Sequence, residues 1–164
     1  MDDAPVRQAV RVLLVDPRDR VLLLHASLAD GRTIWVPTGG GLEPGETSSE
    51  AVLREVYEET RILLPGPGAH VWTRTVEFSG PQALAFGRLH REEWFLTRLP
   101  AETAVTLDGN PDAVEFDTLL DHRWWSADEI DAAPEIEFVP RALGRLLRPL
   151  LLGDLPATPL PIGL

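Results

Sequence analysis

The chain has 164 residues, 26 acidic against 15 basic, and a formal net charge of −11. That length suits one domain, and the charge opposes a long phosphate polymer, so bulk nucleic-acid binding is not expected. There is no cysteine and no lysine, which excludes disulfides, thiolate ligands, cysteine nucleophiles, Schiff bases and a phosphate-loop lysine.

No apolar run reaches the roughly 18 residues of a membrane-spanning helix, so no membrane partner is expected. "MDDAPVRQAV" lacks the basic-then-apolar pattern of a leader. With no cysteine, a cytoplasmic location follows as an expectation. Arginine supplies all the positive charge and suits bidentate contact with carboxylate or phosphate.

In chain order, "QAVRVLLV" (8–15) predicts a strand, "DPRDR" a turn, and "VLLLH" (21–25) the return strand of a hairpin. "WVP" (35–37) predicts a short strand ending at proline, followed by a glycine loop, "TGGGLEPGE", and a helix. "HVWTRTVEF" (70–78) alternates, with Val71, Thr73, Thr75 and Glu77 on one face and Trp72, Arg74, Val76 and Phe78 on the other. "GPQALAFGR" reads as a connection, and "HREEWFLTRL" (90–99) as a strand that puts Glu92 and Glu93 on opposite faces.

An acidic loop follows over 100–121, then a strand "HRWWS" whose Trp124 and Trp125 pack on alternate faces. Ser126 is a plausible N-cap of a short helix. "PRALGRLLRPLLL" (140–152) predicts a helix with Pro140 in its first turn and Pro149 limiting it. The Pro-rich apolar tail, part of the segment 140–164, is expected on the domain surface or on a partner, and a homodimer is a reasonable expectation. Several strands with few helices imply a mixed sheet covered by helices.

The helix after the glycines carries the chemistry. "TSSE" gives Thr47 as N-cap and Glu50 three residues on, a capping box. Ala51, Val52 and Val56 carry the apolar face, with Leu53 alongside. Glu55, Glu58 and Glu59 stand at i, i+3 and i+4 on one side, an arrangement that repels unless compensated. Arg54, four residues before Glu58, neutralises part of that charge. Carboxylates with the carbonyls of Gly39, Gly40 or Gly41 suit a hard dication, Mg²⁺ or Mn²⁺, which keeps positions open for phosphate oxygens.

Gly40, five residues, Glu46, seven residues, then Arg54-Glu55-Val56-Tyr57-Glu58-Glu59 resembles the Nudix hydrolase signature, over 40–62. The resemblance implies the Nudix α/β/α sandwich, a mixed central sheet flanked by helices, for a single domain spanning 1–164. It implies divalent-metal-dependent attack of water on a phosphoanhydride of a nucleoside diphosphate linked to another group: a nucleoside triphosphate, an ADP-ribose-like compound or a dinucleoside polyphosphate. Carried over residue by residue, Glu55, Glu58, Glu59 and the carbonyl of Gly39 or Gly40 are metal ligands. Arg54 orients a glutamate, Glu46 ties loop to helix, and the general base is Glu58 or Glu59, then Glu115, with Asp117 a further late candidate. The partner implied is a small nucleotide-type diphosphate. A non-catalytic nucleotide-binding module and an RNA 5′-end pyrophosphohydrolase are the alternatives. Two positions depart from the pattern. Arg61 stands where glycine is expected and predicts a changed helix exit. Thr38 separates Pro37 from the glycines.

Overall fold

The computed structural model describes residues 5–80, 83–84, 87–107 and 118–163. Its elements are β1 (Val6–Val15), β2 (Val21–Ser27), β3 (Thr33–Val36), β4 (Thr38–Gly41), α1 (Ser48–Thr60), β5 (Ala69–Glu77), β6 (Leu89–Arg98), β7 (Thr118–Trp125), α2 (Ala127–Asp131), α3 (Leu143–Leu151) and β8 (Leu160–Pro161). The sheet is mixed and covered by helices on its two faces, the expected α/β architecture.

The central strand, β1, is buried from Ala9 to Val15, a near-continuous apolar run that a strand covered on both faces requires. It pairs in parallel with β6, from Val6↔Leu89 to Val15↔Arg98, and antiparallel with β4. Alternation then sorts the core. Val10, Val12 and Leu14 meet Ala51, Val52 and Val56 of α1, while Leu13 and Val15 meet Trp94 and α3 through Leu143, Leu147 and Leu150.

The predicted hairpin between β1 and β2 is open. The two strands share the pair Val15↔Val21 and then part, β1 taking β4 and β6 while β2 takes β3 and β7. The chain crosses from one group to the other at Pro37, between β3 and β4.

Several expectations are corrected. The glycine segment is a strand at its start: Thr38–Gly41 pairs Ala9↔Gly41, Val10↔Gly40, Arg11↔Gly39 and Val12↔Thr38. Thr38 is buried and donates its hydroxyl to the Val12 carbonyl at 3.3 Å. On β5, Val71 is buried together with Trp72, because the pairing to β6 shifts between His70 and Trp72 and breaks the alternation. Leu53 is 36 % exposed and lies off the apolar face of α1. The C-terminal helix starts at Leu143 rather than Pro140. Glu137 and Val139 are bonded to the Trp35 backbone, and Pro140 accepts from Leu143 in the turn that follows. It continues past Pro149, which sits on its solvent side.

The tail docks on its own sheet. Leu160 and Pro161 pair in parallel with Trp72 and Thr73 of β5, and Ile162 packs against the core. No helix among the described residues is long and apolar enough to cross a membrane.

Candidate functional site

α1 is fixed at both ends. Thr47 accepts from the Glu50 amide at 3.2 Å while Glu50 accepts from the Thr47 amide at 2.8 Å, the reciprocal bonds of the predicted capping box. At the other end the exit is unchanged by the missing glycine. Arg61 adopts φ 62°, ψ 17°, the left-handed cap, with its N–H on the Tyr57 carbonyl and its guanidinium 5.3 Å from the Tyr57 ring. The chain meets the same requirement with a residue that carries a Cβ, so the expectation of a changed exit is overturned.

Between these ends Arg54 organises the acids. Its Nε and Nη2 grip Glu46 at 2.7 and 2.8 Å, its Nη1 reaches Glu55 at 2.9 Å and Glu58 at 3.2 Å, and its Nη2 reaches the Gly41 carbonyl at 3.0 Å. Glu46 also accepts from the Glu43 amide at 2.8 Å, closing the turn before the helix. The hydrogen bond from Arg54 holds the Glu46 carboxyl below its ordinary value, against the opposing effect of burial. The same bond, ahead of burial, which opposes it, pushes the Arg54 guanidinium further up, aided by the charge of Glu55.

The glutamates differ in setting. Glu55 and Glu59 are buried against β4, whereas the Glu58 side chain is 37 % exposed. The Glu55 carboxylate lies where a side chain on Gly40 would be: a Cβ there would fall 2.7 Å from the Glu55 Cδ. Glu59 accepts from the Gly39 amide at 3.4 Å. Gly39 has φ 146° and its missing Cβ would stand 2.9 Å from the Arg11 Cα, so only glycine lets the two strands close. The glycine strand thus brings bare backbone under two carboxylates of the helix.

In kind, this donor set fits a hard dication: carboxylates beside the bare backbone of Gly40, with oxygen donors throughout. In arrangement, Arg54 holds Glu55 and Glu58 and the Gly39 amide holds Glu59. Among the described residues no three His, Asp or Glu side chains stand where they could share a metal ion. Glu115 and Asp117 lie outside the described residues.

Sequence reading did not single out a buried polar cluster on the other face of the sheet. Glu92, 3 % exposed, sits with Arg11, Arg74 and the Trp94 indole, while Glu93 projects to the α1 side. Burial pushes the Glu92 carboxyl up, but Arg11 and then Arg74, with hydrogen bonds from Arg74 and Trp94, bring it below its ordinary value. The available signal was Arg11 itself, a charge interrupting an otherwise apolar strand. Trp124 and Trp125 do pack on alternate faces, Trp124 beside the α1 cluster and Trp125 in the cluster under α3.

A family model described as NUDIX domain matches residues 5–146. An RNA pyrophosphohydrolase of Francisella philomiragia is 31 % identical over 133 residues, covering 77 % of this chain and 81 % of the relative. Among solved structures, a MutT protein from Methanosarcina mazei Go1 superposes with a TM-score of 0.66 at 20 % identity, covering 90 % of this chain and 96 % of that one. A NUDIX hydrolase from Nitrosomonas europaea superposes at 0.64 and 21 % identity, covering 92 % and 91 %. The fold is that of the two solved structures, and the chain belongs to the Nudix family, as a hydrolase of the pyrophosphohydrolase class acting on an anhydride bond.

Proposed function

We propose that this protein is a divalent-metal-dependent hydrolase of a small nucleotide-type substrate, a nucleoside diphosphate linked to a further group. The observation that carries the reading is the Arg54 hub, which holds Glu46, Glu55 and Glu58 beside the bare backbone of β4. Glu55, Glu58 and Glu59, with the Gly40 carbonyl, would hold Mg²⁺ or Mn²⁺ once their carboxylates turn from the Arg54 and Gly39 contacts that keep them apart here. When bound, such an ion polarises phosphoryl oxygens and neutralises the charge of the leaving phosphate.

The residues of the chain do the rest. Arg54 keeps Glu55 and Glu58 in place as positioning residue, and Glu46 anchors Arg54 to the turn. Glu58 is the acid of the three with water access, which suits it to take the proton of the attacking water, and Glu59, buried on the Gly39 amide, is the alternative base. Gly39 and Gly40, without side chains, let β1 and the Glu55 carboxylate close on the backbone of β4. Residues 147–163 belong to the same unit, since β8 completes the edge of β5.

The test is product release from a panel of nucleoside triphosphates, nucleoside diphosphate sugars and dinucleoside polyphosphates with Mg²⁺ or Mn²⁺, run on wild type and Glu58→Gln. Turnover in wild type that falls at least a hundredfold in the variant supports the assignment; equal rates reject it.

A second reading is favoured by the relative named RNA pyrophosphohydrolase. On that reading the substrate is the 5′-triphosphate end of an RNA. Net charge of −11 opposes long-range attraction of RNA, so capture would rely on the end group alone. A triphosphorylated oligonucleotide in the same panel separates the two.

A further inference from the structure

Beyond α3 the chain returns to the sheet and lies beside β5, tied at both ends. Arg98 of β6 donates to the Leu151 carbonyl at 2.6 Å, where the tail begins. Near its end, Ile162 donates its amide to the Thr73 carbonyl at 2.8 Å. The Ile162 side chain packs against the core cluster that holds Val71, Trp72 and Leu147.

Along a strand, successive residues turn their backbone groups to opposite edges. Ile162 gives its amide to β5, so Pro161 turns its own backbone outward. Position 159, of the same parity, is also proline. Proline has no N–H, so the outer side of the tail lacks the donors that a further strand would pair with. The segment Pro159–Ile162 is built to bond on one edge and to refuse the other.

Without the tail, β5 would be the last strand of the sheet. It is nine residues long, AHVWTRTVE, and is rich in valine, threonine and tryptophan, all good strand formers. A bare edge of that length and composition is a template for an identical edge on another molecule. The tail covers it at Trp72 and Thr73, near the middle of β5, so a strand laid along β5 must first displace it.

We propose that the C-terminal tail is an edge terminator. It gives β5 a neighbour from its own chain, its outward prolines end the sheet there, and together these keep β5 of one molecule from pairing with β5 of a second copy. The proposal is independent of the catalytic reading.

The test is sedimentation velocity over a concentration series on the full chain, as wild type, Ile162→Glu and Ile162→Ala. Near-ultraviolet circular dichroism of the tryptophans reports the core. Ile162→Glu places a charge at the anchor and is expected to free the tail and to double the sedimenting mass relative to wild type. Ile162→Ala only shortens the anchor. It is expected to shift the same way at higher concentration, and it carries the test should the glutamate variant lose its core signal. A synthetic peptide of residues 155–163, in excess, is expected to refill the edge and return the variants to the wild-type mass. Variants that match wild type in mass at every concentration overturn the proposal. So does association that the peptide leaves unchanged, because such association does not use the edge that the tail vacates.

Discussion

Arg54 and Glu46 form a two-point fork, Nε to Oε1 at 2.7 Å and Nη2 to Oε2 at 2.8 Å, across the turn that joins β4 to α1. The fork leaves Nη1 free to face Glu55 and Glu58, so one planar group sets three carboxylates at once. A lysine has the charge without the plane. Arg54→Lys is expected to fold and to lose about 10- to 100-fold in activity, the usual scale for a residue that orients ligands. Steady-state kinetics over a metal titration checks this. A variant with wild-type kcat and metal dependence would reject Arg54 as the hub.

Gly39 and Gly40 fail differently when given a side chain. At Gly40 the new Cβ meets the Glu55 carboxylate, a movable group; at Gly39 it meets the Val10–Arg11 backbone, which cannot yield. Gly40→Ala should therefore keep most of its stability and lose activity, while Gly39→Ala should lose several kcal/mol of stability, on the order of 2–3. Denaturant unfolding and product release, measured on both, separate the two effects. Equal loss of stability in both would contradict the packing described.

Arg61 holds a left-handed cap that glycine adopts freely. Arg61→Gly should stabilise the protein by about 0.5–1 kcal/mol, the left-handed penalty of roughly 1 kcal/mol less a small loss of the Tyr57 ring contact. Glycine adopts the same left-handed cap and keeps the end of α1 in place, so activity should not change. A urea midpoint that falls in the variant would show that the Tyr57 contact outweighs backbone strain.

The parts that sequence made legible are those governed by local chemistry. The capping box at Thr47, the N-cap at Ser126, the buried stripe of Ala51, Val52 and Val56, and the Arg54–Glu58 pair all depend on residues within one helical turn. What stayed hidden depends on distant partners. Three glycines have little intrinsic preference for a strand, and Gly39–Gly41 become one only because β1 offers a register. The break at Val71 comes from pairing with β6, and the late start of α3 from bonds between Trp35 and residues 137–139. Glu92 and Glu93 stand on opposite faces of their strand, and nothing local says what a buried one would pair with; the partners of Glu92 are Arg11 and Arg74, 81 and 18 residues away.

Glu92 gives the protein a pH dependence of defined sign. Its carboxyl is held below the ordinary 4.5 because attraction to Arg11 and Arg74 outweighs the cost of burial. A depressed native value means that the unfolded chain binds the proton more readily. The stabilisation is therefore complete above the unfolded value of 4.5 and is lost as pH falls through the lower native one. Glu92→Gln removes this contribution and strands two buried guanidinium groups on a neutral acceptor, a change expected to cost about 3 kcal/mol at pH 7. The gap between variant and wild type should narrow steadily below pH 4.5. Urea unfolding at a series of pH values measures it. A gap that stays constant down to pH 3 would mean that the carboxylate charge is not what holds β1, β5 and β6 together on this face.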